Sequence, residues 1–290
     1  LLNELRQRTD DLSESLEQQT ATSEVLKVIS SSAGKLEPVF AAMLNADPRP
    51  RRPGLLVCRH TQPFPMNSVN GLRITTAAET ILAAARDLGV LDLVILGDSA
   101  LRLRHCTLID LQITARQRRR GAPLLRQIIP MLDARSESAW ESIMPVLHQA
   151  AEIPVTPQQE IFDELGRFVA RVDLRIDGTR RIHEYDGAGH RDADVHEHDL
   201  ERDRALIAGD WERHGYTSKH LRRDAAAIIA DVDRLLGRTW SPRRLAGWQS
   251  LLDHSLLGRA GRARAFRQWR RALVETGQLQ HRDGNNPGCM

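Results

Sequence analysis

The chain predicts an α/β fold: a mixed sheet flanked by helices, preceded by a helical region and a long N-terminal helix. Three observations carry this. Residues 167–190 read as a β-hairpin. Helical stripes lie on both sides of it, at 71–132 and 219–236. Residues 1–30 repeat leucine at heptad spacing. In the hairpin, apolar Phe168, Ala170, Val172, Leu174 and Ile176 alternate with Arg167, Arg171, Asp173 and Arg175, the period of a half-buried strand. Asp177-Gly178 is a turn signal, because glycine reaches positive φ without steric cost. Ile182, Glu184 and Asp186 then share one face of a second strand. A two- or four-residue loop pairs odd positions of the first strand with even positions of the second and brings Asp173 to that face; a three-residue loop does so only with a bulge.

Three carboxylates on one face repel one another, which is costly without a cation. Hard oxygen donors of this kind suit Mg²⁺ or Mn²⁺. VDLRIDGTRRIHEYDGAGH resembles the active-site hairpin of the very-short-patch-repair-related endonuclease family, a branch of the PD-(D/E)XK nucleases. The family pattern is an Asp on one strand, then Glu-x-Asp-Gly and a nearby His, and Asp173, Glu184, Asp186, Gly187 and His190 match it. ESAWESIMPVLHQAAEI resembles the family's opening helix, with Glu141 at its acidic position and Glu137 a weaker match. HDLERDRALIAGDWERHGYTSKHL is similar to the helix, strand and helix that follow.

The resemblance covers about residues 135–237. It implies a restriction-endonuclease-like sheet and metal-assisted phosphodiester hydrolysis. Asp173 and Glu184 would hold the metal, with the Tyr185 carbonyl as an extra ligand. Asp186 would be a second acid, and Glu141 would act from the helix. His190 would orient or deprotonate the water. Asp186 stands where the family name implies a Lys, and none of Lys27, Lys35 and Lys219 is near the hairpin. Arg cannot replace Lys as a proton carrier, its pKa being above 12. The very-short-patch branch also lacks that Lys, which moves the proton-carrying role to His190. The rival class is a non-catalytic nucleic-acid-binding or toxin–antitoxin-type regulatory protein on a degenerate nuclease fold.

Around this unit the sequence divides into 1–46, 47–70, 71–134, 135–237 and 238–290. Leu5, Leu12 and Leu26 fall at heptad spacing with Gln19 at the polar step, so residues 1–46 begin as an amphipathic helix able to form a coiled coil and a homo-oligomer. This segment resembles the signalling helix and first GAF helix of bacterial sensor histidine kinases. The GAF sheet and the kinase ATP motif do not follow, so the juxtaposition reads as a composite reading frame; a coiled-coil signalling fragment is the second alternative. DPRPRRPG marks residues 47–70 as a linker.

Residues 71–134 resemble the helical portion that follows a winged helix in abortive-infection antitoxin-like relatives; the winged helix itself is missing. Thr76 and Glu79 have capping-box spacing. LDLVILGDSALR and LIDLQITARQRRR are expected as helices. The run Arg116–Arg120 reads as a solvated helix end, with phosphate contact the less favoured alternative.

In the hairpin region a third strand is expected near Trp211–Tyr216, and a helix over Lys219–Leu236 capped by Thr217 or Ser218. Of 290 residues 41% are hydrophobic but 4% aromatic, so the core is aliphatic. The net charge of +3 hides an asymmetry. Between Lys219 and Arg271 stand thirteen Lys and Arg against four Asp, a local +9. Beside a metal-type carboxylate cluster this favours a nucleic-acid partner, DNA before RNA, with Arg243, Arg244, Arg262, Arg264, Arg267 and Arg270 as phosphate contacts. Cys58, Cys106 and Cys289 are scattered without a CxxC, which argues against a disulfide framework or zinc ribbon. His183, His190, His196 and His198 crowd one window, yet His183 should point away from Glu184, so zinc is disfavoured. No apolar run is long enough for a membrane span and no signal peptide is visible, so a cytoplasmic setting is expected. The sequence begins with Leu1 rather than Met, so an upstream start is expected.

Overall fold

The computed structural model describes residues 64–69, 71–187 and 202–275. The N-terminal helix with its oligomer contact, Cys58, Cys289, His190, His196 and His198 all lie outside the described residues. The protein is α/β, with a mixed four-stranded sheet flanked by helices.

A two-stranded hairpin, β1 (Met66–Val69) with β2 (Leu72–Thr75), comes first. It spans the expected end of the linker and the start of the helical region. The Asn70-Gly71 dipeptide is its sequence signal, and Gly71 adopts φ +79° at the turn. Helices α1 (Ala77–Ala84), α2 (Val90–Arg102), α3 (Leu108–Ala115) and α4 (Ala122–Ile128) follow. The Thr76 side chain accepts from Glu79 N and caps α1. Helix α3 was expected to run on through the arginines but stops at Ala115. Glu79, buried at the start of α1, binds Gln117 at 2.9 Å and Arg119 at 2.6 Å, and these bonds hold residues 116–121 in turns.

Helix α5 (Ala139–Ala150) is the central element. Trp140, Ile143, Met144, Val146 and Leu147 are all buried in one cluster that runs from Ala78 to Ala265 and includes Leu174 and Ile176 of the sheet. The regions 71–134, 135–237 and 238–275 therefore share a core. The sheet order is β3 (Val155–Phe162), β4 (Phe168–Ile176), β5 (Arg181–Tyr185) and β6 (Glu212–Tyr216). The first two pairings are antiparallel and β5–β6 is parallel. Strand β3 was not expected from the sequence. Pro157 lies in it, tolerated because among the described residues β3 is an edge strand that pairs with β4 alone.

The β4–β5 register pairs Leu174 with His183 and Arg175 with Ile182, across a loop of four residues, 177–180. Odd positions of β4 thus face even positions of β5. Burial alternates along β4 from Ala170 to Ile176, but the buried residues divide between two clusters at Asp173. Leu174 and Ile176 join the main core, whereas Ala170 and Val172 join a second cluster with Ile161, Ile182 and Leu206. Gln158, across β3 from this point, is buried with φ +48°.

The expected helix 219–236 forms as two, α6 (Ser218–Arg223) and α7 (Ala225–Leu235), split at Asp224. Thr217 is the N-cap, and its N–H donates to His220 Nδ1 at 3.1 Å. Helices α8 (Ala246–Asp253) and α9 (Arg259–Glu275) complete the described chain. Among the described residues, no helix is long and apolar enough to cross a membrane.

Candidate functional site

The carboxylates meet where β4 and β5 part. Asp173 Oδ2 accepts from Tyr185 N at 2.8 Å, so a side chain takes the place of a ladder acceptor. This fixes Asp173 beside Glu184. Burial, then the neighbouring Glu141, then Glu184 push the Asp173 carboxyl up to about 7. Glu141 reaches the cluster from the first turn of α5. Ser138 caps that turn by accepting from Glu141 N at 3.2 Å, while Glu141 Oε2 accepts from Glu137 N at 2.8 Å. Glu137 itself is drawn outward to Arg171, at 2.6 Å.

Glu184 is buried, yet both of its oxygens are taken by guanidinium groups, Oε1 by Arg202 and Oε2 by Arg213. Arg213 also holds Asp186 at 3.0 Å. Asp186 sits over Gly215: a Cβ built there would lie 1.7 Å from Asp186 Oδ2, so glycine is required for the approach. The backbone supports this position, since Asp186 N donates to Tyr216 O at 2.9 Å and extends the parallel pairing by one residue.

Asp173, Glu184, Glu141 and Asp186 are thus neighbours or linked through shared partners, and Tyr185 stands between Asp173 and the ring of Trp140. His190 lies outside the described residues. Sequence reasoning did not single out Arg202, Arg213 or Gly215. Arg213 alternates outward in β6 as a solvated arginine would, and its partner is visible once the parallel register sets it beside Ile182.

No family model, no curated protein and no solved structure matches this chain. The site therefore rests on its own residues.

Behind Glu184, the side chain of His183 faces α5. His183 Nδ1 and His148 Nε2 are 3.0 Å apart, His148 Nδ1 meets Met144 O at 2.8 Å, and His183 stacks on His214. Burial holds His148 down to about 4 and His183 well below its usual range, so both are neutral imidazoles. His183 lies away from the carboxylates, as its strand parity requires. Among the described residues, no group of three His, Cys, Asp or Glu side chains is placed to hold a metal ion.

The arginines expected to touch nucleic acid divide into two sets. Arg244 forms an ion pair with buried Asp233 at 2.8 Å and donates to Ala151 O. Arg262 donates to Leu256 O at 2.8 Å, and Arg264 to His254 O at 2.6 Å. These three brace the fold. Arg243, Arg267 and Arg270 are exposed.

Proposed function

We propose that this protein is a metal-dependent nuclease of restriction-endonuclease-like fold, hydrolysing phosphodiesters in nucleic acid, DNA before RNA. The observation that carries the reading is the state of Asp173: a half-buried carboxyl that its desolvation, then the neighbouring Glu141 and Glu184, push up to about 7. A divalent cation held by Asp173 and Glu184 would supply a counter-charge to these carboxylates. The donors fit Mg²⁺ or Mn²⁺. Mg²⁺ characteristically takes one or two carboxylates and completes its shell with water and phosphate, so Asp173 and Glu184, with the Tyr185 carbonyl, would hold it without a third acidic ligand, Glu184 sharing its oxygens with Arg202 and Arg213. A bound Mg²⁺ or Mn²⁺ would polarise the phosphate and lower the pKa of a coordinated water.

The protein's own groups have separate tasks. Tyr185 N fixes the Asp173 oxygen. Arg213 sets the angle of Glu184 and Asp186 together, and Arg202 places a positive charge at the mouth of the cluster for an incoming phosphate. Glu141 orients water from the head of α5. His190 carries the proton that a Lys would otherwise move.

A second reading, nucleic-acid binding without cleavage, is favoured by the two guanidinium groups on Glu184, which already neutralise it. The deciding experiment is a melting series with Mn²⁺ and Mg²⁺, run beside cleavage of plasmid DNA, single-stranded DNA and RNA. The nuclease reading expects metal to raise the Tm, Asp173→Ala to abolish the rise, and His190→Ala to lower cleavage by about 10²-fold while metal affinity holds. Nucleic-acid binding with no cutting of any substrate selects the second reading. A metal response unchanged in Asp173→Ala removes the site.

A further inference from the structure

The arginine run 116–120 is solvated at Arg116, Arg118 and Arg120, but it is not a frayed end of α3. It folds back against the end of α1 and lines a cavity of about 490 Å³. Arg116, Arg118, Arg119 and Arg120 contribute from the run, Arg86 from the end of α1 and Arg126 from α4, with no Asp or Glu in the lining. Six arginines from three parts of the chain therefore border one concave surface.

Two features hold this wall in place. Glu79, 1% exposed, grips Arg119 at 2.6 Å and Gln117 at 2.9 Å. Arg126 donates to Ala115 O at 2.6 Å and ties the start of α4 to the end of α3. The return is made at Gly121, φ +90°, where a Cβ would lie 2.5 Å from Leu82 O. These bonds engage Arg119 and Arg126. Among the described residues, the side chains of Arg86, Arg116, Arg118 and Arg120 make no hydrogen bond or ion pair. Like charges held together without counter-ions raise the folding free energy, and a dense anion relieves the repulsion.

We propose that this cavity is a binding site for a chain of adjacent phosphate groups. The guanidinium fork matches phosphate oxygens in pairs, and several forks around one cavity match phosphates in series rather than one isolated carboxylate. The non-arginine lining is Ala85, Gln117, Gly121 and Pro123, with no aromatic ring to stack on a base, so the site reads phosphate and not nucleobase. Both a free polyphosphate and a nucleic-acid backbone present that chemistry. The site is built by α1, α3 and α4 and does not depend on cleavage at Asp173.

The test uses the full chain and two probes, inorganic tripolyphosphate and a 20-base-pair duplex, by calorimetry across a salt series. The variants are Arg116→Gln/Arg118→Gln/Arg120→Gln, at three exposed positions, and Arg86→Gln alone as an independent check. Tripolyphosphate binding that weakens by about 100-fold in the triple variant, and by a smaller factor in Arg86→Gln, supports the site with a free polyphosphate as its ligand. Duplex binding whose salt slope falls by about 3 in the triple variant, with tripolyphosphate displacing the duplex, supports it with the backbone as the source. Both variants binding both probes as wild type does, or wild type binding neither probe, overturns it.

Discussion

Replacing Asp173 by Asn should stabilise the protein at alkaline pH and do little at acid pH. The carboxyl moves from an ordinary 3.8 to about 7 on folding. Between roughly pH 4 and pH 7 the unfolded chain has released this proton while the folded chain keeps it. Raising the pH across that window therefore penalises the folded state, and the loss levels off above the folded value. At about 1.4 kcal/mol per pH unit, the full penalty is of the order of 2–4 kcal/mol once partial solvent access is counted. Asp98, also held at about 7, and Asp92, raised by burial, change stability in the same direction, so the wild-type curve alone does not isolate Asp173. The difference between wild type and Asp173→Asn does, because Asn keeps an oxygen for Tyr185 N and removes the titration. Urea unfolding in EDTA at pH 5 and pH 8 measures it. A gain of about 2–4 kcal/mol at pH 8 and about 1 or less at pH 5 is expected. An equal effect at both pH values would refute the raised Asp173 carboxyl, and with it the desolvation and the crowding by Glu141 and Glu184 that cause it.

Gly215→Ala should push Asp186 off its seat, lowering the Mn²⁺-dependent Tm rise and cleavage while the metal-free Tm moves little, since the clash is with one exposed carboxylate; an unchanged Mn²⁺ response would show that Asp186 is a bystander. His148 is held neutral at about 4, so the unfolded chain binds the extra proton between pH 6.5 and 4, and stability falls as the pH drops through that range. His148→Gln should flatten this acid loss, read as a smaller difference between urea midpoints at pH 4.5 and 7. Arg267→Gln/Arg270→Gln should lower the salt slope of duplex binding by about 2 with an unchanged Tm. Arg262→Ala should instead cost about 1–3 kcal/mol in urea unfolding, because Arg262 braces the Leu256 and Leu257 carbonyls.

The legible parts of the sequence were those where one local signal has one physical meaning. The alternation from Phe168 to Ile176, the Asp177-Gly178 turn and the apolar Ile182 sufficed to draw β4 and β5 and to place their parity. Strand β3 was missed because VTPQQEIF carries a proline and two glutamines, and its partner is chosen by the sheet and not by its own pattern. The run after Ala115 reads as helix by propensity, but buried Glu79, some forty residues away in sequence, draws Gln117 and Arg119 out of it. In the same way Arg202 and Arg213 come to Glu184 from elements 18 and 29 residues downstream. Such pairs obey distance in space, and neither period nor spacing along the chain announces them. The arginines of the C-terminal third illustrate the limit of charge counting. A local +9 does not distinguish Arg267, which faces solvent, from Arg264, which is tied to His254 O.

Asp92 connects distant parts of the chain. Buried at the start of α2, its Oδ2 accepts from Gly89 N at 3.0 Å, and its Oδ1 accepts from Ser255 Oγ at 2.6 Å and Leu256 N at 2.9 Å. Partners supplied from 163 and 164 residues later do not exist while the ribosome is still making the middle of the protein. Until residue 256 emerges, Asp92 Oδ1 lacks both of these partners, and the close packing of Gly89 against His254 has not formed. The last helices therefore complete the hydrogen bonding of the helical region. A chain ended at Gly237 leaves those bonds unmade, and loss of nucleic-acid binding on such truncation would report a half-built protein as readily as missing arginines.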